Sequence, residues 1–217
     1  MTTYLELQTL VSRKLRDTSN NTFTVAIVKD LINAAITEVS RIAPQPYQED
    51  LTPDGSLSYQ LNTSAPSRRI SLSRVEIWDA SPARFRVRVA FAGESLVNSS
   101  EAGWRTHNGY LELPYSYGTF AADSTFTIRV WGTKPWSALS ADGDVTDLDE
   151  DAQDAMVECA VFHGYESLLN DRVLFKQYQT QSNNTDVSLG QLMSSVALWQ
   201  ARWDRRRKLL AEMRELP

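Results

Sequence analysis

Apolar side chains at Tyr4, Leu7, Val11 and Leu15 recur every three or four residues, which puts them on one stripe of a helix. A polar, turn-prone link from Thr18 to Thr24 follows. Thr24 can cap a second helix whose stripe runs Ile27 or Val28, Leu31 or Ile32, Ala35, Val39 and Ile42, until Pro44 and Pro46 stop it. From Gln48 to Pro135 the period shortens to two and Gly, Pro, Asn and Asp punctuate the chain, the signature of an antiparallel sheet or sandwich. Phe85, Val87, Val89 and Phe91 alternate with Arg84, Arg86 and Arg88, and Phe126, Ile128 and Val130 with Thr125, Thr127 and Arg129. Asp54-Gly55 and Asn108-Gly109 are dipeptides of tight type I′ turns, which need positive φ at both central positions. Closing the second turn sets His107 opposite Tyr110, Arg105 opposite Glu112 and Trp104 opposite Leu113. In Ile70, Leu72, Val75 and Ile77 the apolar phase flips at Ser73-Arg74, which predicts a bulge or a strand break.

Helix returns after Pro135. Asp149 to Asp154 supply a negative first turn, and Met156, Cys159 or Ala160, His163 and Leu168 carry an apolar stripe to about Asn170. A short helix, Val173 to Gln181, and a loop, Ser182-Asn183-Asn184-Thr185, lead to a stretch from Gln191 to Leu216 free of Gly and Pro. Roughly 26 residues at ~1.5 Å each make a helix of about 39 Å. A compact chain of this length has a radius of gyration of only about 17 Å. Such a helix crosses the body or projects from it, and Trp199 and Trp203, four apart on one face, need a partner surface. The expected architecture is α+β: N-terminal helices (1–43) and C-terminal helices (136–217) share a bundle, and an antiparallel sheet or sandwich (44–135) is inserted between them.

With 217 residues, 42% hydrophobic and 23% charged, the composition describes a globular protein rather than a disordered or fibrous one. Cys159 is the single cysteine, so an internal disulfide and a Cys-based zinc site, which needs at least two, are both excluded. No apolar run reaches the ~20 residues that span a bilayer, and Met1 to Asp17 mixes charges into its apolar positions, so neither a membrane segment nor a signal peptide is expected. A net charge of −5 argues against a domain whose affinity comes from neutralising phosphates. The average conceals a polarity, because residues 1–43 carry +1, residues 44–135 carry 0, residues 136–171 carry −10 with no Lys or Arg, and residues 172–217 carry +4.

Catalytic and cofactor signatures are sparse. His107 and His163 are the only histidines, and no Gly-x-Ser-x-Gly, Gly-x-Gly-x-x-Gly or Walker loop occurs. His163 and Glu166 stand at i, i+3 on a helix, a spacing that could share a metal, but di-metal bundles use Glu followed by His twice over, so a packed histidine is the reading preferred here. Asp142, Asp144, Asp147, Asp149, Glu150, Asp151 and Asp154 could be read as a calcium loop. They lack the order of an EF-hand, and a helix N-terminus or an acidic face for a basic partner fits them better. Arg202, Arg205, Arg206, Arg207 and Lys208 form the one basic run, with Leu209, Leu210 and Met213 continuing an apolar stripe. A solvated face, docking onto an acidic protein surface and nucleic-acid contact are its three readings. Arg84, Arg86 and Arg88 are expected to meet cross-strand carboxylates, and Tyr110, Tyr115, Tyr117 and Phe120 could stack on sugars but are ordinary sheet-edge residues. Neither a metal nor a cofactor is expected.

The order of parts says more than any site. A short amphipathic helix, the helix Leu31-Ile32-Asn33-Ala34-Ala35-Ile36-Thr37-Glu38-Val39, a β segment, the passage Lys134-Pro135-Trp136-Ser137-Ala138-Leu139 with its acidic run to Asp147, and the helix Asp151 to Asn170 followed by a charged terminal helix together resemble the head-to-tail adaptor proteins of tailed bacteriophages. The resemblance covers most of the chain. It implies a virion structural protein without enzymatic activity, assembled in the host cytoplasm into a ring of twelve subunits beneath the portal protein. Such a ring extends the channel through which genomic DNA passes without sequence-specific binding, and meets stopper or tail proteins on its other side. The acidic residues 142–154 would then face a basic neighbour, and Trp199, Arg202, Trp203, Arg205, Arg206, Arg207, Leu210 and Met213 would dock the terminal helix on the portal or an adjacent subunit. The alternative from another class is a carbohydrate- or nucleic-acid-binding β-sandwich module with a helical oligomerisation region.

Overall fold

The computed structural model describes residues 2–61, 70–81, 83–89, 103–107, 110–117, 123, 125–181 and 184–215. The fold is α+β, with a long C-terminal helix. It divides into two compact units, Met1–Pro44 with Trp136–Pro217, and Gln45–Pro135.

The first unit is a bundle of α1 (Tyr4–Lys14), α2 (Val25–Ile42), α3 (Glu150–Asn170), α4 (Arg172–Gln181) and α5 (Leu189–Glu215). Each start is set by a short polar side chain. Thr3 and Glu6 form a reciprocal capping box on α1, the Thr24 hydroxyl accepts from Ile27 N, and the Asp149 carboxylate accepts from Ala152 N. The end of α1 is sealed from far along the chain. Its last carbonyls, on Lys14, Leu15 and Arg16, accept from the Tyr165 and Tyr178 hydroxyls and the Asn184 amide at 3.1, 3.0 and 3.0 Å. The buried Asp17 carboxylate then gathers the backbone amides of Asn21, Thr22 and Phe23, which turns the chain into α2.

The stripe expected on α3 is too narrow. Ala152, Ala155, Met156, Val157, Cys159, Ala160, Val161, Gly164, Tyr165 and Leu168 are all buried, because α1, α2, α4 and α5 all pack against this helix. Its small residues permit close approach: a Cβ on Gly164 would come within 2.6 Å of a Leu15 methyl. On α5 the buried positions are Leu192, Trp199, Trp203 and Leu210, with Val196 partly buried beside them.

The second unit holds two antiparallel sheets. β1 (Gln45–Leu51), β7 (Phe126–Lys134), β3 (Ser71–Asp79) and β4 (Arg84–Val89) form one, in the order β1-β7-β3-β4. The other runs β2-β6-β5, from β2 (Ser58–Gln60), β6 (Tyr110–Glu112) and β5 (Arg105–His107). Val75, Ile77, Ile128, Val130, Tyr47, Leu51 and Val89 from the first meet Tyr59, Leu61, Trp104, Leu111 and Leu113 in one core. The phase flip at Ser73-Arg74 is a bulge inside a continuous β3, with register shifting between Leu72 and Arg74 against β7. Gly132 lies opposite it, where a Cβ would fall 2.1 Å from the Ser71 carbonyl oxygen. Arg105 pairs with Glu112 and His107 with Tyr110, in the register expected, while Asn108 and Gly109 themselves lie outside the described residues. Asp54-Gly55 does not close a hairpin. Gly55 has the positive φ, 86°, but the strands it separates, β1 and β2, belong to different sheets.

Candidate functional site

Helix α5 carries most of the residues singled out in the sequence, and the structure sorts them onto two faces. Trp199 and Trp203, expected to need a surface outside the chain, are buried by the chain itself in the bundle core, as is Leu210. That corrects their assignment as docking residues, since a side chain already desolvated at home has little area left to bury on a partner. Trp199 is held between two cations, with Lys14 Nζ 5.3 Å and the Arg202 guanidinium 4.7 Å from its ring centre. Arg206 is also turned inward. It reaches Asp154 at 2.8 Å, Glu158 at 3.6 Å and Asp151 at 3.8 Å, all on α3. Its basic partner surface is therefore intramolecular for Asp151 and Asp154.

The outward face holds Leu198, Arg202, Arg205 and Leu209, spaced four, three and four and hence in one line along the helix. All four are exposed, the two leucines by 52% and 42%. Lys208 and Arg207 flank them, also exposed, and Ala201, Asp204, Arg205, Lys208, Leu209 and Glu212 line a shallow groove on this side. The side chain of Met213 lies outside the described residues.

The acidic passage is a folded latch as well as a charged surface. The carbonyls of Asp142 and Asp144 accept from Leu5 N and Tyr4 N, tying down the start of α1. The Asp144 carboxylate takes the amides of Ser140 and Ala141 and the Ser140 hydroxyl, which hold its pKa below the usual range. Asp142 is likewise lowered, by Lys29 and then Gln8, and Asp147 accepts from Ser137. Asp142, Asp147, Asp149, Glu150, Asp151 and Asp154 are exposed. Neutral donors leave the charges of Asp144, Asp147 and Asp149 uncancelled, whereas Asp142 is paired with Lys29 and Asp151 and Asp154 with Arg206, so this edge keeps a net negative charge. The passage is also bound to α2: the Asn33 side chain donates to the Leu139 carbonyl and accepts from its amide, both at 3.0 Å, and Trp136 Nε1 donates to Ala43 O at 2.7 Å.

A cluster of which only the His163–Glu166 pair stood out in the sequence sits between α2 and α3. His163 Nε2 meets Glu38 Oε1 at 2.9 Å, its Nδ1 meets Glu166 Oε2 at 3.3 Å, and the Cys159 thiol lies 3.5 Å from Glu38 Oε2. Burial, then the Glu38 charge, pushes the Cys159 thiol far up. The i, i+4 spacing of Cys159 and His163 was visible in the sequence; Glu38, from the other end of the chain, was not.

In the sheet unit, Arg86 pairs with Asp79 at 2.7 Å. Arg74 lies over Trp131 and Arg129 over Trp78, at 4.0 and 4.6 Å, with Arg129 also donating from Nε and Nη2 to the Asp50 carboxylate. Tyr110 is exposed, whereas Phe120 and the Tyr115 side chain lie outside the described residues. No described helix is long and apolar enough to cross a membrane. Neither a family model nor a curated protein sequence matches the chain.

Proposed function

We propose that this chain is a non-enzymatic virion protein, the head-to-tail adaptor of a tailed bacteriophage, which assembles as a ring beneath the portal. The observation that carries the reading is the polarity of the bundle surface. An exposed leucine-arginine stripe, Leu198, Arg202, Arg205 and Leu209, is presented on one helix, and an exposed acidic edge, Asp147, Asp149 and Glu150 beside Val145, on another part of the same unit. Two different complementary surfaces on one chain make a heterologous contact, and repetition of such a contact closes into a ring when the rotation allows. Apolar side chains within the basic stripe give the contact area to bury, and charge gives it register and direction. The two stretches that carry the adaptor resemblance also form one hydrogen-bonded unit through Asn33 and Leu139. The partners of this reading are further copies of the chain, the portal, the tail-side stopper, and DNA that passes through the lumen.

Native mass measurement and electron microscopy, on the chain alone and mixed with the portal ring of the phage that encodes it, test the reading. Closed rings that dissociate at high salt and are lost in Arg205→Glu support it. A chain that stays monomeric in both preparations, or rings indifferent to salt and to that substitution, would sink it. One observation favours a second reading: Trp78, Phe85 and Trp131 share a sheet face with Arg74 and Arg129, a platform suited to stacking sugars or bases. Binding of single-stranded DNA or oligosaccharide, abolished by Trp78→Ala, would favour that function instead.

A further inference from the structure

Glu38 on α2 and Cys159 and His163 on α3 bring a carboxylate oxygen, a thiol sulfur and an imidazole nitrogen within 4.8 Å of one another. The single thiol falls short of a Cys-based site, but sulfur, nitrogen and oxygen are the three donor types that zinc accepts, and a set of three protein ligands with one open position is a recognised zinc geometry. Cys159 and His163 are one helical turn apart, so both project toward the same neighbour, α2.

Two details set this trio apart from an ordinary polar contact. The first is the outer partner of the histidine. Glu166 lies against Nδ1 while Nε2 points at Glu38, and a carboxylate on the far ring nitrogen fixes the tautomer that leaves Nε2 free to ligate. The second is the burial gradient. Cys159 is fully buried, while Glu38 and His163 keep about a third of their side chains in solvent, which gives an ion a path to the sulfur. Bond lengths of ~2.0 Å to nitrogen or oxygen and ~2.3 Å to sulfur place tetrahedral ligands about 3.3 to 3.6 Å apart. The separations of 2.9 Å from His163 Nε2 to Glu38 Oε1 and 3.5 Å from Cys159 Sγ to Glu38 Oε2 fall below and within that range, and all three donors lie within 4.8 Å, so side-chain shifts bring them to it.

We propose that Glu38, Cys159 and His163 bind one zinc-class divalent ion, with Glu166 orienting His163 and water in the fourth position. On binding, the Cys159 S–H bond breaks, its proton goes to solvent and the thiolate ligates the metal. The ion clamps α2 to α3 in the middle of the bundle, and the proposal stands independently of the assembly reading.

The full-length chain, reduced and stripped with chelator, is titrated with Co2+ and then with Zn2+. One equivalent of Co2+ should bring in a near-ultraviolet thiolate-to-metal absorption that Zn2+ displaces, and the Zn2+-loaded chain should melt at a higher temperature. Cys159→Ser should abolish the band, Glu38→Gln should weaken binding at least tenfold, and Glu166→Gln should keep the band while weakening affinity by about 10- to 100-fold. Circular dichroism of the metal-free variants keeps a folding defect from being read as a lost ligand, and Glu38→Gln keeps the test open if Cys159→Ser does not fold. Absence of the thiolate band in the parent chain, binding that Glu38→Gln leaves unchanged, or Co2+ bound only by the carboxylates of 142–154 without the band overturns the proposal.

Discussion

Among the clustered arginines of α5, Arg206 differs from its neighbours by the face it occupies. Trp199, Trp203, Arg206 and Leu210 are spaced four, three and four, so Arg206 fills the step in the buried seam where another apolar residue would stand. One carboxylate oxygen of Glu158 is buried there with no hydrogen-bond partner, and the nearby guanidinium is what offsets its charge. Arg206→Ala is expected to destabilise the chain by about 1–3 kcal/mol, the cost of stranding a desolvated carboxylate, whereas Arg205→Ala and Arg207→Ala stay within about 0.5 kcal/mol. Urea unfolding of the three variants checks this, and equal effects would mean that the ion pairs to α3 contribute nothing. The basic run was legible in the sequence as a run, and the tryptophans four apart marked one face of its helix, but helical spacing groups Arg206 with Arg202 and Arg205. That Arg206 belongs with the tryptophans was hidden, because a charge is admitted to a seam only when acids stand opposite it, and those acids lie on another helix. Glu38 was invisible for the same reason: its chemistry depends on a helix pairing that local periodicity cannot specify.

At the scale of elements, the acidic passage before α3 acts through its hydrogen bonds as much as through its charge. Asp144, held by the Ser140 and Ala141 amides and the Ser140 hydroxyl, and Asp142, held by Lys29 and Gln8, both have pKa values below the usual 3.8. A carboxylate whose folded value is depressed favours the folded state fully above its unfolded value, and that contribution is lost as pH falls through the folded value. Stability should therefore decline below about pH 4 rather than in the neutral range. Asp144→Asn should flatten the decline between pH 5 and pH 3 in urea unfolding; an unchanged slope would show that the turn does not titrate with folding. The strands, by contrast, were only partly legible, and the pairing read from the sequence was that of β5 with β6. Alternation finds β4 and β7, and the turn glycine at 55 is visible too, yet that turn joins no hairpin: β1 pairs with β7 and β2 with β6. Alternation reports which face is buried, and the neighbour is chosen by the topology of the whole unit.

At the scale of the whole molecule, the terminal helix is part of the body. Leu192, Trp199, Trp203 and Leu210 share one core with α1, α2 and α3. Truncation after Gln191 is therefore expected to abolish cooperative melting of the bundle, beyond the helical signal of the residues removed. Thermal unfolding followed by far-ultraviolet circular dichroism decides it. A truncated chain that melts cooperatively within a few degrees of the parent would restore α5 to the role of a detachable arm.

The seal on α1 has a consequence for how the protein is made. The carbonyls of Lys14, Leu15 and Arg16 wait for Tyr165, Tyr178 and Asn184, and the apolar stripes of α1 and α2 wait for α3 and α5, while all of Gln45–Pro135 is synthesised in between. At roughly 5–20 residues per second on a ribosome, the first two helices spend on the order of ten seconds or more without their partners. The sheet unit, contiguous in the chain, can close as it emerges. The bundle is thus completed only once Leu189–Glu215 has been made, and α1 and α2 meet the cell as an unsheltered amphipathic pair that a chaperone can hold.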